Sequence, residues 1–154
     1  MRWCRFESEG RISFGIVEGD SIIEVDGDPL YEHSITDRRL KIADINLLVP
    51  LIPRTFYAAG INYRDHVIKM AAITGREVQL PQSADIGYRA HNALIAHDQP
   101  IILPRDATDR TQYEGELVVV IGKRAKHITK EEALDHVFGF TIGNDFSERT
   151  WQAG

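Results

Sequence analysis

The run "QYEGELVVVIGK", Gln112 to Lys123, constrains the fold more than any other stretch, because the apolar residues Leu117 to Ile121 follow two glutamates set one residue apart. So short a run rich in β-branched residues favours a strand, and residues two apart on a strand share a face. Glu114 and Glu116 therefore project together with Val118 and Val120, while Gly115, Leu117, Val119 and Ile121 line the other face. Because "LVVVI" is apolar on both faces, it predicts a central strand, with the glutamates where the buried run begins. Two neighbouring carboxylates in a poorly hydrated place repel each other and need a compensating positive charge. A hard divalent cation, magnesium or calcium, supplies that charge and prefers oxygen ligands. Asp145, just past the end of a second predicted strand in "FTIGNDFSERTWQ", is a third candidate ligand. The same spacing also suits an exposed strand end whose glutamates pair with residues such as Arg110 or Lys123.

The rest of the chain predicts a mixed α+β protein, mainly β. "RWCRFE", "RISFGIVEG" and "SIIEVDG" are separated by turn-forming Gly and Asp and read as a small antiparallel meander. His33 to about Asn46 is polar and weakly helical, and Pro50 and Pro53 follow. The expected organisation is a small N-terminal β domain over 1–48 and a second domain over 52–154. "FYAAGINYRDH" reads as a strand, a turn at Gly60 and a helix capped by Asn62 that ends by Gly75. The segment from Arg76 to Pro100 is expected to be a long loop with short extended pieces. "ITKEEALDHVFGF" predicts a helix opened by a Thr129/Glu132 capping box and closed by Gly139.

With 43% hydrophobic and 27% charged residues and a formal net charge of -5, the chain has no basic stripe for nucleic acid or an anionic membrane. The single cysteine, Cys4, allows neither an internal disulfide nor a cysteine-based zinc site and reads as a small strand residue. No targeting segment or apolar run of membrane-spanning length is read, so a cytoplasmic location is expected. Among six histidines only His66, in the first turn of its helix, is a candidate acid or base. His33, His91, His97, His127 and His136 show no metal-binding pattern and are read as structural or surface residues.

Four blocks, "GINYRDH", "RAHNALIAHDQPIILP", "YEGELVVVIGKRAKHIT" and "FGFTIGNDFSERTWQ", resemble in order and interval the fumarylacetoacetate hydrolase family. The likeness is to bacterial members of the 2-hydroxyhepta-2,4-diene-1,7-dioate isomerase or acylpyruvase type, many of which begin with a similar small β domain. It implies a curved mixed β-sheet catalytic domain, a homodimer, and Mg2+ or Mn2+ (Ca2+ possible) held by Glu114, Glu116 and Asp145. It also implies a small-molecule 2-oxo acid substrate with a second carbonyl, which members of the family cleave, decarboxylate or isomerise. By the same matching His66 is catalytic, Arg149 and Gln152 reach substrate oxygens, and Arg89 is a basic residue near the substrate. Lys69 stands where hydrolytic members carry a glutamate, which favours isomerisation or another proton transfer over water activation. The family's catalytic domain continues past "WQAG", so the chain is expected to hold only the first part of it. An inactive fragment that binds metal at most is the alternative reading. Phosphoryl transfer lacks the glycine-rich phosphate loop it would need.

Overall fold

The computed structural model describes residues 1–152. Its residues group into two units, Met1–Asp26 with Ile35–Gln99, and Gly27–Ser34 with Pro100–Gly154, the last two residues of which lie outside the described range.

The first unit is dominated by a five-stranded sheet. Its strands are β1 (Trp3–Ser8), β2 (Arg11–Glu18), β3 (Ser21–Gly27), β4 (His33–Lys41) and β5 (Asn46–Leu47), in the order β4-β3-β2-β1-β5. The antiparallel β1–β2 and β2–β3 pairs confirm the meander expected from the alternating apolar runs. Glu9 and Gly10, both at positive φ, form the two-residue turn between β1 and β2, a conformation that matches the twist of paired strands. Cys4, Phe6 and Ile22 form the core on one face, with Val17, Leu40, Ile42, Ile45 and Leu47 packed around them. Ile16, Ile23 and Val25 are buried on the opposite face. A side chain at Gly15 would collide with Ile22 and lie 3.0 Å from Phe6 Cε1, so this strand glycine permits close approach across the core.

Segment 33–46 is not helical: it forms β4, a 3-10 turn at Ile42–Asp44, and β5. Half-buried Thr36, Arg38 and Leu40 alternate with exposed residues, and this period of two at a charged sheet edge outweighs the weak helical composition. Farther along, β6 (Tyr57–Gly60) pairs antiparallel with β7 (Asp85–Tyr88), and Tyr57 meets Tyr88 with ring centroids 4.9 Å apart. Helix α1 (Arg64–Thr74) has Tyr63, not Asn62, in the capping position, and it ends as expected at left-handed Gly75. Between α1 and β7 the backbone is irregular, and a 3-10 turn at His91–Ala93 follows β7.

In the second unit β8 (Thr111–Gln112) and β9 (Gly115–Ile121) precede β10 (Val137–Asn144), β11 (Ser147–Glu148) and the short helix α2 (Arg149–Gln152). β9 pairs with β10, and β8 with β11, both antiparallel. The central, doubly buried position expected for β9 is corrected here. Leu117, Val119 and Ile121 are 60%, 45% and 57% exposed, and only the face carrying Glu116, Val118 and Val120 is half-buried. The longest run buried on both faces among the described residues is in β3, where Ile22 to Val25 are all buried. The helix expected after Thr129 is a 3-10 turn at Ala133–His136. Its capping box forms, with Thr129 N–H donating to Glu132 Oε2 (2.9 Å) and Glu132 N–H to Thr129 Oγ1 (3.3 Å). Strand pairing with β9 claims the chain from Val137, including Gly139, and leaves too few residues for a stable helix.

Candidate active site

The β9–β10 register brings the predicted carboxylates onto neighbouring backbone. Gly115 faces Asn144 and Glu116 faces Gly143, so Glu114 and Asp145 meet where the ladder ends. Asp145 N–H donates to Glu114 O (2.9 Å), and Glu114 N–H donates to Asn144 Oδ1 (3.0 Å). Glu114, Glu116 and Asp145 are all half-buried. Among the described residues no group of three or more His, Cys, Asp or Glu side chains is gathered so as to hold a metal ion. The donors nevertheless suit a hard cation in kind, because carboxylate oxygens are what magnesium and manganese take.

What compensates Glu114 is neither Arg110 nor Lys123. Arg149, the first residue of α2, places Nη2 2.8 Å from Glu114 Oε1, with side-chain exposures of 23% and 34%. Ser147 Oγ donates to the same oxygen at 3.3 Å. The two remaining guanidinium nitrogens are also engaged: Nε donates to Gln112 Oε1 (2.9 Å) and Nη1 to Gln152 Oε1 (2.7 Å). A planar guanidinium with three acceptors at fixed angles is held in orientation as well as in place. Its backbone is fixed too, since Arg149 N–H donates to Arg110 O (3.1 Å) and Glu148 caps the helix through Trp151 N–H (2.7 Å). Thr108 Oγ1 completes the Glu148 interaction.

The structure therefore joins Glu114, Arg149 and Gln152 in one network, with Glu116 and Asp145 beside them along the backbone. His66 and Arg89 belong to the first unit. His66 is exposed in the first turn of α1. Arg89 follows β7, its N–H donating to Phe56 O at 2.9 Å.

Two contributors lacked an obvious sequence signal. Gln112 and Ser147 are ordinary polar strand residues that matter only because β8 pairs with β11. Glu24, inside "SIIEVDG", is the buried carboxylate of the N-terminal sheet at 6% exposure, and the acid in that apolar run was the available clue. It accepts hydrogen bonds from Ser13 Oγ (2.6 Å) and Arg38 Nη1 (3.2 Å), and Arg38 also reaches Glu9 (2.8 Å). The Ser13 bond is the largest influence holding the Glu24 carboxyl below its ordinary value, and Arg38 adds to it against the opposing effect of burial.

The β9–β10 end thus sets half-buried carboxylates on neighbouring backbone, with an oriented arginine on one of them. Residues 55–154 match the family described as fumarylacetoacetate (FAA) hydrolase C-terminal, and residues 1–50 match that described as Rv2993c-like, N-terminal. The chain belongs to the fumarylacetoacetate hydrolase family. It is 32% identical to Protein Rv2993c of Mycobacterium tuberculosis over 99% of this chain and 57% of that protein. It is 38% identical to oxaloacetate tautomerase YisK of Bacillus subtilis over 68% of this chain and 33% of that protein. The crystal structure of 5-carboxymethyl-2-hydroxymuconate delta-isomerase from Mycobacterium smegmatis superposes with a TM-score of 0.84 at 33% identity, covering 99% of this chain and 58% of that one. The chain thus spans little more than half the length of these relatives at most. Among the described residues no helix is long and apolar enough to cross a membrane.

Proposed function

We propose that the chain carries the cation- and carboxylate-binding part of an enzyme acting on 2-oxo or β-dicarbonyl acids, by isomerisation or tautomerisation. One observation carries this reading: Glu114 and Glu116 lie half-buried at the start of β9, Asp145 is hydrogen-bonded to the backbone of Glu114, and Arg149 rests on the Glu114 carboxylate. Family enzymes commonly use divalent metals. Glu114, Glu116 and Asp145 are the residues that would hold magnesium or manganese. When bound, such an ion stabilises negative charge developing on the carbonyl or enolate oxygens of the substrate.

The chain's own side chains supply the rest. Arg149 offers charged N–H donors to a substrate carboxylate, and Gln152 and Arg89 provide further polar contacts. The role proposed for His66 is acid or base: it takes the proton as the C–H bond between the carbonyls breaks and delivers it to the carbonyl oxygen as the enol O–H forms. Lys69, one helical turn later, is a cation and does not act beside His66 as a carboxylate base on water, which favours proton relocation over hydrolysis. The whole protein is proposed to act as a cytoplasmic homodimer.

The test is thermal unfolding with saturating Mn2+. Ligand at a hundredfold excess over Kd adds about 2.7 kcal/mol, which for a protein of this size raises Tm by roughly 5–10 °C. Glu116→Gln is expected to abolish the rise, and no rise in the unaltered chain refutes the cation site. Oxaloacetate keto–enol interconversion and acylpyruvate cleavage, both followed by ultraviolet absorbance, separate tautomerase from hydrolase chemistry.

A further inference from the structure

A carboxylate outside the candidate site links the segments that carry Arg149 and its supports. Glu148, half-buried at the end of β11, accepts Trp151 N–H on one oxygen (2.7 Å) and the Thr108 hydroxyl on the other. A helix start leaves N–H groups without intrahelical partners, and the usual capping residues are short: serine, threonine, aspartate or asparagine. Glutamate is longer than that task needs, and its reach takes it to Thr108, 40 residues earlier in the chain. The Thr108 hydroxyl also accepts Arg110 N–H (3.1 Å) and lies 3.2 Å from Thr150 Oγ1, while Arg110 O accepts Arg149 N–H (3.1 Å). Desolvation raises the Glu148 carboxyl, but the hydrogen bonds from Thr108, Trp151 and Thr150 together outweigh it and hold the group below its ordinary value. These donors therefore select the ionised, acceptor-only form.

What this link joins is the pair of supports of the Arg149 guanidinium. Gln112 on β8 holds Nε, and Gln152 on α2 holds Nη1. β8 meets β11 through two residue pairs, Ser147–Gln112 and Glu148–Thr111, and so short a ladder fixes the supports weakly by itself. The Glu148–Thr108 contact adds a second tie between the chain entering β8 and the start of α2. An arginine carries more N–H donors than its bonds to Gln112, Gln152 and Glu114 use, and the worth of the others to a carboxylate depends on the aim of the planar fork. Resting on the reading of Arg149 as the anchor for an acidic substrate, we propose that Thr108 and Glu148 are positioning residues. Neither touches the ligand, and together they set the angle at which the Arg149 guanidinium meets it.

The test is nuclear magnetic resonance of the full chain, reading exchange of the Arg149 Nε–H with water and titrating pyruvate as the acidic probe. Thr108→Val removes the hydroxyl and nearly keeps the shape. It is expected to speed Nε–H exchange and to weaken pyruvate binding about two- to tenfold, the cost of ordering one side chain as the ligand arrives. Glu148→Asp keeps a cap on α2 but is too short for Thr108, and should give the same two changes. Thr108→Ser should restore both, and the Thr108→Val/Glu148→Asp pair should be no worse than either change alone, since both cut one link. A merely structural role would lower the melting temperature and leave the Nε–H signal as it was. Unchanged Nε–H exchange in Thr108→Val overturns the proposal, as does faster exchange with unchanged pyruvate affinity. Absence of pyruvate binding to the unaltered chain overturns the anchor reading, and the proposal with it, before any variant is made.

Discussion

Replacing Glu24 by Gln isolates the charge of a buried carboxylate while nearly keeping its shape. The Glu24 side chain is 8% exposed and Arg38 33%, so the ion pair is shielded on one side and screened on the other. The 2.6 Å bond from Ser13 is charge-assisted, and replacing it with a neutral one costs about 1 kcal/mol. The Arg38 pair, discounted for its exposed partner, contributes about 0.5–1 kcal/mol more. A loss of about 1.5–2 kcal/mol is therefore expected at neutral pH. The pH dependence fixes the origin of that loss. The Glu24 carboxyl lies below its ordinary value in the folded chain, so its stabilisation is complete above the unfolded carboxyl's range and disappears as pH falls through the folded value. Urea unfolding from pH 7 to pH 3, followed by tryptophan fluorescence, should show the gap between the two proteins narrowing as pH falls below the ordinary carboxyl range. A gap of the same size at pH 3 and pH 7 would mean that packing rather than charge accounts for the effect.

Other consequences follow from the same sheet. Burial pushes the Cys4 thiol up to about 11, so alkylation by iodoacetamide at pH 8 should be slow in the folded chain and rapid in urea. Gly15→Ala should destabilise by about 1–3 kcal/mol, measured as a lower urea midpoint, because its methyl group meets Ile22 and Phe6 in the core. Phe6→Ala, at a side chain 1% exposed, should cost about 3–5 kcal/mol and lower the melting temperature more than any surface change on β4.

Where local pattern and long-range pairing agree, the sequence is readable. The alternating runs of β1 to β3, with glycines in their turns, appear in the structure as expected, as do β9, β10 and the left-handed Gly75. Misreadings arise where pairing overrules a local preference. Segment 33–41 becomes an edge strand because β3 offers it a ladder, and the capping box at Thr129 forms without its helix because β9 recruits the chain from Val137. The run "LVVVI" shows a related limit. Its composition does not reveal which face is covered, and here Leu117, Val119 and Ile121 face outward.

Glu24 on β3 and Glu114 just before β9 show how far side-chain chemistry can be read in the same way. Glu24 and Glu114 each receive a serine hydroxyl and an arginine, at 2.6 and 3.2 Å in one case and 3.3 and 2.8 Å in the other. The serines and arginines come from other strands or a following helix, so neither pairing is visible in the local run of sequence. What separates the sites is the surroundings of the arginine. Arg38 is shared with exposed Glu9 and ties β4 to its neighbours, a role that ends with the sheet. Arg149 is held by two neutral glutamine oxygens that do not cancel its charge, beside a carboxylate about a third exposed. Arg149 thus meets one carboxylate and two neutral acceptors, whereas Arg38 is divided between two carboxylates. Counted over those pairs, the Glu9–Arg38–Glu24 network carries a net negative charge and the Arg149–Glu114 pair is balanced.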